Sequence, residues 1–398
     1  MKKTAFLFIA GLLTLAVASS CENDDTDFSA YTLTADSDDD DDDTTTVADT
    51  IYITYTGSAA TVSGDGGSVC SISNADVTVN DSASTTSLVL VLSGSTDDGS
   101  LLVYRSKKYT IMLNGVSITN ADGPAINNQC GKSLYLVCAD GTGNTLTDGT
   151  TYAEQSYDQK GTLFSEGQIY FSGAGTLTVN ANCKNGIASD DYITISDDIA
   201  INVVTSTTGT NGIKANDGMY VNGGELNINV YSAGGRGIRC EARTEINGGT
   251  TTITTSGDCL IETTDGVADT TSAACIKCDS LFTMTAGVLA LSSTGDGGKG
   301  LNCSDTVKIS GGTFTAVTTG SKTNAKPKAV KGDLGIVISG GSFFACVNKS
   351  WACDNGSDSD EAEDRVTVEG TPASTVLEYN SETFTSPYYS QRAVFVAF

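Results

Sequence analysis

Four cations recur at one place in a repeating phrase. Lys214, Arg239, Lys277 and Lys331 each directly follow an apolar residue (Ile213, Ile238, Ile276 and Val330), and Asn216, Glu241, Asp279 and Asp333 stand two places further on. Residues two apart in a strand share a face, so both sets point outward while the apolar residues point in. Stacked repeat upon repeat, they form a basic column beside an acidic one. A row of cations can hold an extended polyanion, and a uronic-acid chain presents carboxylates at a repeat commensurate with such a step. The same residues can instead neutralise one another in a lattice of surface ion pairs, each worth about 0–1 kcal/mol. Like charges on neighbouring strands are unfavourable, so the column needs one compensation or the other. The candidate ligand-binding residues are Lys214, Arg236, Arg239, Lys277 and Lys331; Arg236, like Lys299 and Lys328, lies two residues before its apolar anchor.

The acidic column offers a second chemistry. Ca²⁺ takes several carboxylate and carbonyl oxygens, and Asp190, Asp191, Asp217, Glu241 and Asp279 are the candidate ligands. The chain has no histidine, which removes His-based triads, His zinc sites and His haem ligation. One catalytic arrangement can be nominated: Arg239 flanked by Asp217 and Glu241, as the proton-abstracting base of a calcium-dependent polysaccharide lyase.

These residues are positioned by a repeat. The phrase Asn211-Gly212-Ile213-Lys214-Ala215-Asn216-Asp217 returns as Arg236-Gly237-Ile238-Arg239-Cys240-Glu241, and an offset of about 25 residues signals a solenoid. The inward anchors read Leu102, Ile126, Leu163, Ile187, Ile213, Ile238, Ile276, Leu301 and Val330. Six and eight residues beyond them stand apolar pairs such as Ile193 and Ile195, or Val307 and Ile309. A glycine corner follows (Gly223-Gly224, Gly248-Gly249), then a third short strand from Leu226, Leu289, Phe314 or Phe343. Three short alternating strands per turn make an all-β parallel β-helix, whose coils bury their apolar faces only by stacking about 4.8 Å apart. About ten coils are expected, with insertions at 147–160 and 257–273 that shape one side of the rod. The expected domains are 1–20 (signal), 21–50 (acidic tether), 51–353 (β-helix) and 354–398 (acidic loop and a small β-rich cap).

Lys2-Lys3, the apolar run Ala5 to Val17 and the small residues Ala18-Ser19-Ser20 read as an export signal. Cys21 is then the lipidated residue of an outer-membrane lipoprotein, or incidental to a simple cleaved signal. Glu22-Asn23-Asp24-Asp25 resembles the surface-export signature of Bacteroidetes-type lipoproteins, which favours the cell surface. The unbroken Asp38 to Asp43 behaves as an extended leash. A net charge of −26 argues against nucleic acid as a partner, and against a membrane except through the lipid anchor. Cys240, Cys278 and Cys303 fall two residues after their anchors and stack inward, as disulfides or as a packed thiol ladder. Cys275 and Cys278 form a CxxC without the second pair that a zinc tetrad needs.

Ile111-Met112-Leu113-Asn114-Gly115-Val116-Ser117-Ile118, Gly123-Pro124-Ala125-Ile126, Asn144-Thr145-Leu146-Thr147-Asp148 and Gly161-Thr162-Leu163-Phe164-Ser165 follow in that order. So do Gly173-Ala174-Gly175-Thr176-Leu177 and Asn185-Gly186-Ile187-Ala188-Ser189-Asp190-Asp191. Over roughly residues 60 to 345 this order resembles the bacterial secreted carbohydrate-binding domain-containing family. The resemblance implies a right-handed parallel β-helix, bound calcium, and pectate or cellulose as ligand. Family coils open with Asp-Gly-Ile; here the Asp position holds Asn185, Asn211, Arg236, Ala274 and Lys299. That departure removes a natural calcium ligand from the later coils.

The expected function is therefore non-catalytic, surface-anchored binding of an acidic polysaccharide, assisted by calcium. The calcium-dependent lyase is the enzymatic alternative. A structural surface protein or adhesin without a sugar ligand is the third, its cue being a Thr/Ser-rich exterior on which Tyr152, Tyr157 and Trp351 are scattered rather than grouped.

Overall fold

Alternation with a period of two gives each strand one buried and one outer face, as in Glu225–Val230, where Leu226, Ile228 and Val230 are buried and the residues between them are not. The structure, a computed structural model, describes residues 48–398 apart from 65, 66, 85, 197, 265 and 266. The export signal, Cys21, Asp38 to Asp43 and Asp265 lie outside the described residues.

Three ladders of parallel strands run along a solenoid. The first joins Asp76–Asp81, Ser100–Arg105 and Ile126–Asn128 to Gly161–Ser165, Asn185–Ser189, Asn211–Ala215 and Arg236–Cys240. It continues through Ala274–Cys278, Lys299–Cys303 and Lys328–Gly332 to Cys353–Asp354. Its twelve strands include Cys70–Ser73, which is antiparallel, so eleven coils stack in parallel. The second ladder holds strands such as Tyr192–Ile195 and Gly218–Val221; the third holds Ala200–Thr205 and Glu225–Val230. Tyr109–Thr119 belongs to both, pairing with Leu134–Cys138 through its first half and with Gly143–Thr147 through its last residues. The bend between is held by Asn144, whose Oδ1 accepts from the backbone of Gly115 and Val116 at 2.9 and 3.0 Å.

The anchor column holds from Ile126 to Val330, all fully buried. Leu102 is corrected: Leu101 pairs with Ile126 and points inward, and Leu102 points out. Within Leu101-Leu102-Val103 the alternation is ambiguous from sequence, and a one-residue slip turns every side chain to the other face. The parallel stacking is under way from Asp49–Thr56, which pairs with Leu88–Thr96. The insertion at 257–273 carries an antiparallel hairpin, Leu260–Thr264 with Val267–Thr271.

Both ends are closed by antiparallel strands, which pair the unsatisfied edges of the last coils. Ala59–Gly64 folds back on Asp49–Thr56, and Ala393–Ala397 pairs with Ser342–Val347. Near the cap, Arg365 lies 4.0 Å over the ring of Trp351 and pairs with Asp354 at 3.5 Å.

Cys240, Cys278 and Cys303 stack in register, fully buried, and are free thiols. The column is a packed ladder. Cys275 is equally buried, and burial pushes its thiol up to about 12, so the CxxC is core rather than a metal or redox motif. From Ile187 onward, Cys275 occupies a column otherwise made of Gly186, Gly212, Gly237, Gly300 and Ala329, the residues directly before the anchors. Their smallness is steric. A Cβ on Gly237 would lie 2.2 Å from Ile253 Cγ2 and 2.5 Å from the Cys275 carbonyl oxygen. The recurring Gly-Ile therefore marks where the anchor strand passes closest to the third strand of its own coil.

Gly237→Ala is expected to destabilise the protein by about 1–3 kcal/mol in urea denaturation, as overpacking does. Gly131→Ala, where nothing lies within 4 Å of an added Cβ, should stay within ~0.5 kcal/mol of wild type. Equal effects would refute the close-approach account.

Candidate functional site

The outer face of the first ladder carries the two charged columns in the expected register: Lys214, Arg239, Lys277, Asn302 and Lys331 are successive partners. Each of the four cations already has an acid. Lys214 reaches Glu241 of the next coil at 3.2 Å, and Arg239 reaches Asp279 of the next coil at 2.5 Å. Lys277 pairs with the same Asp279 at 3.0 Å, and Lys331 pairs with Asp333. Arg239 also donates to the Cys240 carbonyl at 2.6 Å. The lattice reading of this face is the one that the geometry displays. Burial, aided by Arg239, holds the half-buried Arg236 below the usual guanidinium value, with Asp279 opposing. Lys299, bonded to Ser272 Oγ, is pushed down to about 8, first by burial and then by Lys331 and Lys328.

The five expected calcium ligands do not converge. Glu241 and Asp279 are committed to the cations just named. Asp191 accepts from the Tyr192 backbone at 2.8 Å and is raised by burial and then, after that hydrogen bond's opposing pull, by Asp217. Asp190 instead joins Asp158 and Glu166, whose carboxylate oxygens come within 4.8 Å of one another. The Lys160 ammonium sits on two of these three, 2.6 Å from Asp158 and in closer contact with Asp190. The expected ligands are thus spread over separate contacts, and an ammonium of the protein's own sits on two of the three carboxylates that do come together.

The first insertion lies over the early coils of this face. Tyr152 donates to Asp148 at 2.6 Å, Lys184 stands 4.9 Å over the Tyr152 ring, and Tyr157 meets Tyr104 edge-on at 6.3 Å.

The second ladder shows what the sequence reading missed. Tyr135, Tyr170, Tyr192 and Tyr220 form a continuous half-buried aromatic column on its outer face. Tyr135 and Tyr170 are register partners with stacked rings 5.1 Å apart. Tyr192 turns perpendicular to Tyr170 at 5.6 Å and to Tyr220 at 6.0 Å, and the hydroxyls of Tyr170 and Tyr192 are hydrogen-bonded. The Tyr220 ring lies over Gly218, where a Cβ would meet Cε2 at 2.7 Å. Beyond Tyr220 the column ends on Glu245, paired with Arg243 at 3.1 Å. The signal was present: Tyr135, Tyr170 and Tyr220 each stand between the two inward apolar residues of their strand, a position that must point outward. The exterior therefore does group aromatic residues, contrary to the cue for a ligand-free surface protein. The third ladder's outer face is mostly uncharged and polar, with Asn227 donating to Asn202 at 3.2 Å and to Glu225 at 2.9 Å and Thr178 and Thr252 in the same column.

A family model described as carbohydrate-binding domain-containing protein matches residues 73–240 and 227–325. A carbohydrate-binding domain-containing protein from Acetivibrio thermocellus is 36% identical over 109 residues. That alignment covers 26% of this chain and 38% of the relative, so the chain spans well under half of the relative's length. The solved structure of the polysaccharide lyase-like protein from C. thermocellum, as its gadolinium derivative, is 24% identical with a TM-score of 0.46. It covers 66% of this chain and 97% of its own.

Burial pushes the Asp279 carboxyl up, but hydrogen bonds from Arg239 and Lys277 outweigh it and hold the group below its ordinary value. A depressed carboxylate contributes stability that is present above the unfolded-state value and is lost as pH falls through the folded one. Urea denaturation of wild type and Asp279→Asn should therefore differ near about pH 7 and converge toward about pH 3. A difference that stays constant with pH would show that the pairs do not act.

Proposed function

Because the chain belongs to the carbohydrate-binding domain-containing protein family, we propose that it binds polysaccharide without cleaving it, along the tyrosine column of the second ladder. The observation that carries this reading is the succession of half-exposed rings on neighbouring coils, Tyr135, Tyr170, Tyr192 and Tyr220, at centroid steps of 5.1 to 6.0 Å. Pyranose rings present apolar C–H faces that pack on aromatic groups and hydroxyls that bond to phenols, and tyrosine supplies both. A glycan laid parallel to the solenoid axis meets a ring or a phenol at each coil.

The basic column has a lesser part in this reading. An acidic chain would have to displace Glu241, Asp279 and Asp333 from cations they already neutralise, so uronic-acid content is tolerated rather than required. The reading uses no calcium: Lys160, Lys214, Arg239 and Lys277 hold Asp190, Glu241 and Asp279, three of the five expected ligands. It uses no lyase step either. The nominated base, Arg239, is paired with Asp279, and a guanidinium ion has no lone pair with which to take a proton. The proposal also takes the chain to be exported and tethered at the cell surface by a lipid on Cys21, on the strength of Lys2-Lys3, the apolar run from Ala5 and the acidic residues after Cys21.

Affinity electrophoresis on neutral and uronic-acid polysaccharides tests the site. Tyr192→Ala with Tyr220→Ala should weaken retention about tenfold, taking ~0.5–1.5 kcal/mol for each aromatic contact. The Lys214→Ala, Arg239→Ala, Lys277→Ala triple variant should be retarded by the polysaccharide, relative to its own ligand-free gel, as much as wild type is. The reverse pattern would return the site to the basic column. Separately, Cys21→Ser should shift the protein from the membrane to the soluble fraction of its host; unchanged membrane association would rule out the lipid anchor.

A further inference from the structure

The C-terminal cap does more than close an edge. Its hairpin, Val376–Tyr379 with Glu382–Thr385, stands away from the last coils and encloses a cleft of about 380 Å³ against the third face. The floor is Val317 and Cys346, register partners on adjacent coils whose half-buried side chains point outward. One wall is aromatic. Phe384 is buried, packs edge-on against Tyr388 at 5.1 Å and touches Phe344 at 5.4 Å, while Tyr379 packs on Phe344 at 5.1 Å. That wall is part of its own apolar cluster, so its rings are held in place before any ligand arrives.

The rim is polar and only partly committed. Arg392 gives its Nε to the Val347 carbonyl at 3.4 Å; among the described residues its two Nη groups form no hydrogen bond or ion pair. Glu382 likewise makes no ion pair among them. Yet both charges act on the same thiol: burial raises Cys346, Arg392 draws it down and Glu382 raises it again. Two opposite charges thus face one floor residue without closing on each other. Asn348, also on the lining, is bonded through its Nδ2 to the Thr319 carbonyl at 3.1 Å, which leaves its side-chain oxygen able to accept.

A ligand that joins these groups must accept hydrogen bonds from Arg392, donate to Glu382 and Asn348, and lay an apolar surface on Tyr379 and Tyr388. The charges of Arg392 and Glu382 cancel, so the site favours neither an anion nor a cation. Alternating hydroxyls on an apolar ring meet all of these demands. The volume falls within the ~300–1,000 Å³ of small-ligand sites. We propose that this cleft is a second saccharide site, which takes a short neutral glycan segment or chain end on the third and fourth coils beyond that of Tyr220. The inference rests on the reading of the solenoid as a polysaccharide binder and adds a site on another face of the rod.

Calorimetric titration of the protein with soluble hexamers of glucose, mannose, xylose and galacturonic acid tests it. At least one neutral hexamer should bind wild type and bind Glu382→Gln/Arg392→Gln at least tenfold more weakly. In Tyr192→Ala the part of that binding which the double variant loses should remain. Both substituted residues are exposed, so the melting midpoint of the double variant should not move. Neutral hexamers binding the double variant as tightly as wild type would overturn the cleft, and if Tyr192→Ala still lost retention on polysaccharide, the broader reading would stand. Binding confined to the galacturonic acid hexamer, or lost only in Tyr192→Ala, would also overturn it. Wild type that neither binds a hexamer nor is retained by polysaccharide would remove both proposals together.

Discussion

Parallel register governs this molecule. Once each strand lies on its counterpart one coil away, any residue type that recurs in the repeat becomes a column along the rod. Apolar columns make the core, glycine and alanine make the close passage beside the anchors, and thiols make a buried ladder without cross-links. The same rule would be a liability outside, where like charges on neighbouring strands repel. The first face resolves this with acids two residues further along, which reach diagonally or within their own coil, so that Asp279 serves both Arg239 and Lys277. Charge balance there is a condition of stacking before it is a device for binding.

That condition separates what was legible in the residues from what was not. A period of about 25 residues, with alternation inside it, was enough to place the anchors from Ile126 to Val330 and to send Lys214 and Arg239 outward. It could not show where a long flexible side chain ends. Whether Lys214 meets Glu241 or a ligand depends on rotamers and on the distance across one coil, and neither is written in spacing. Leu101-Leu102-Val103 failed for a different reason, because three consecutive apolar residues carry no alternation to read. The tyrosines were legible and overlooked: Tyr192 stands one place before its apolar pair rather than inside it, so the four do not share a repeat position. Only the coordinates show its ring turning to bridge Tyr170 and Tyr220.

The faces divide the labour accordingly. On the charged face Lys214, Arg239, Lys277 and Lys331 are held by acids of the same face, and the 147–160 insertion lies over its early coils. The aromatic face offers rings and hydroxyls without a net charge. The third face is a sheet of threonine and asparagine that runs into a wall of aromatic residues at the cap. An overall charge of −26 coexists with two largely uncharged faces because eleven of the 48 acids lie between Glu22 and Asp43, and the others gather on corners, on the paired lattice and in the loop after Cys353.

Backbone hydrogen bonds in a stacked-coil rod run along its axis, and this has a mechanical consequence. Tension on the two ends loads the inter-coil interfaces in series, while the three ladders of one interface share the load in parallel. Failure therefore begins at the interface with the fewest paired residues. At the C-terminal end the first ladder contributes only Cys353–Asp354 against Lys328–Gly332, and the second only Thr367–Val368 against Gly335–Ile338. Lys328 and Asp354, 2.7 Å apart, together with Arg365 clamped on Trp351, reinforce that interface. The cap works as a rivet for a rod pulled lengthwise, and peeling from that end must first undo it.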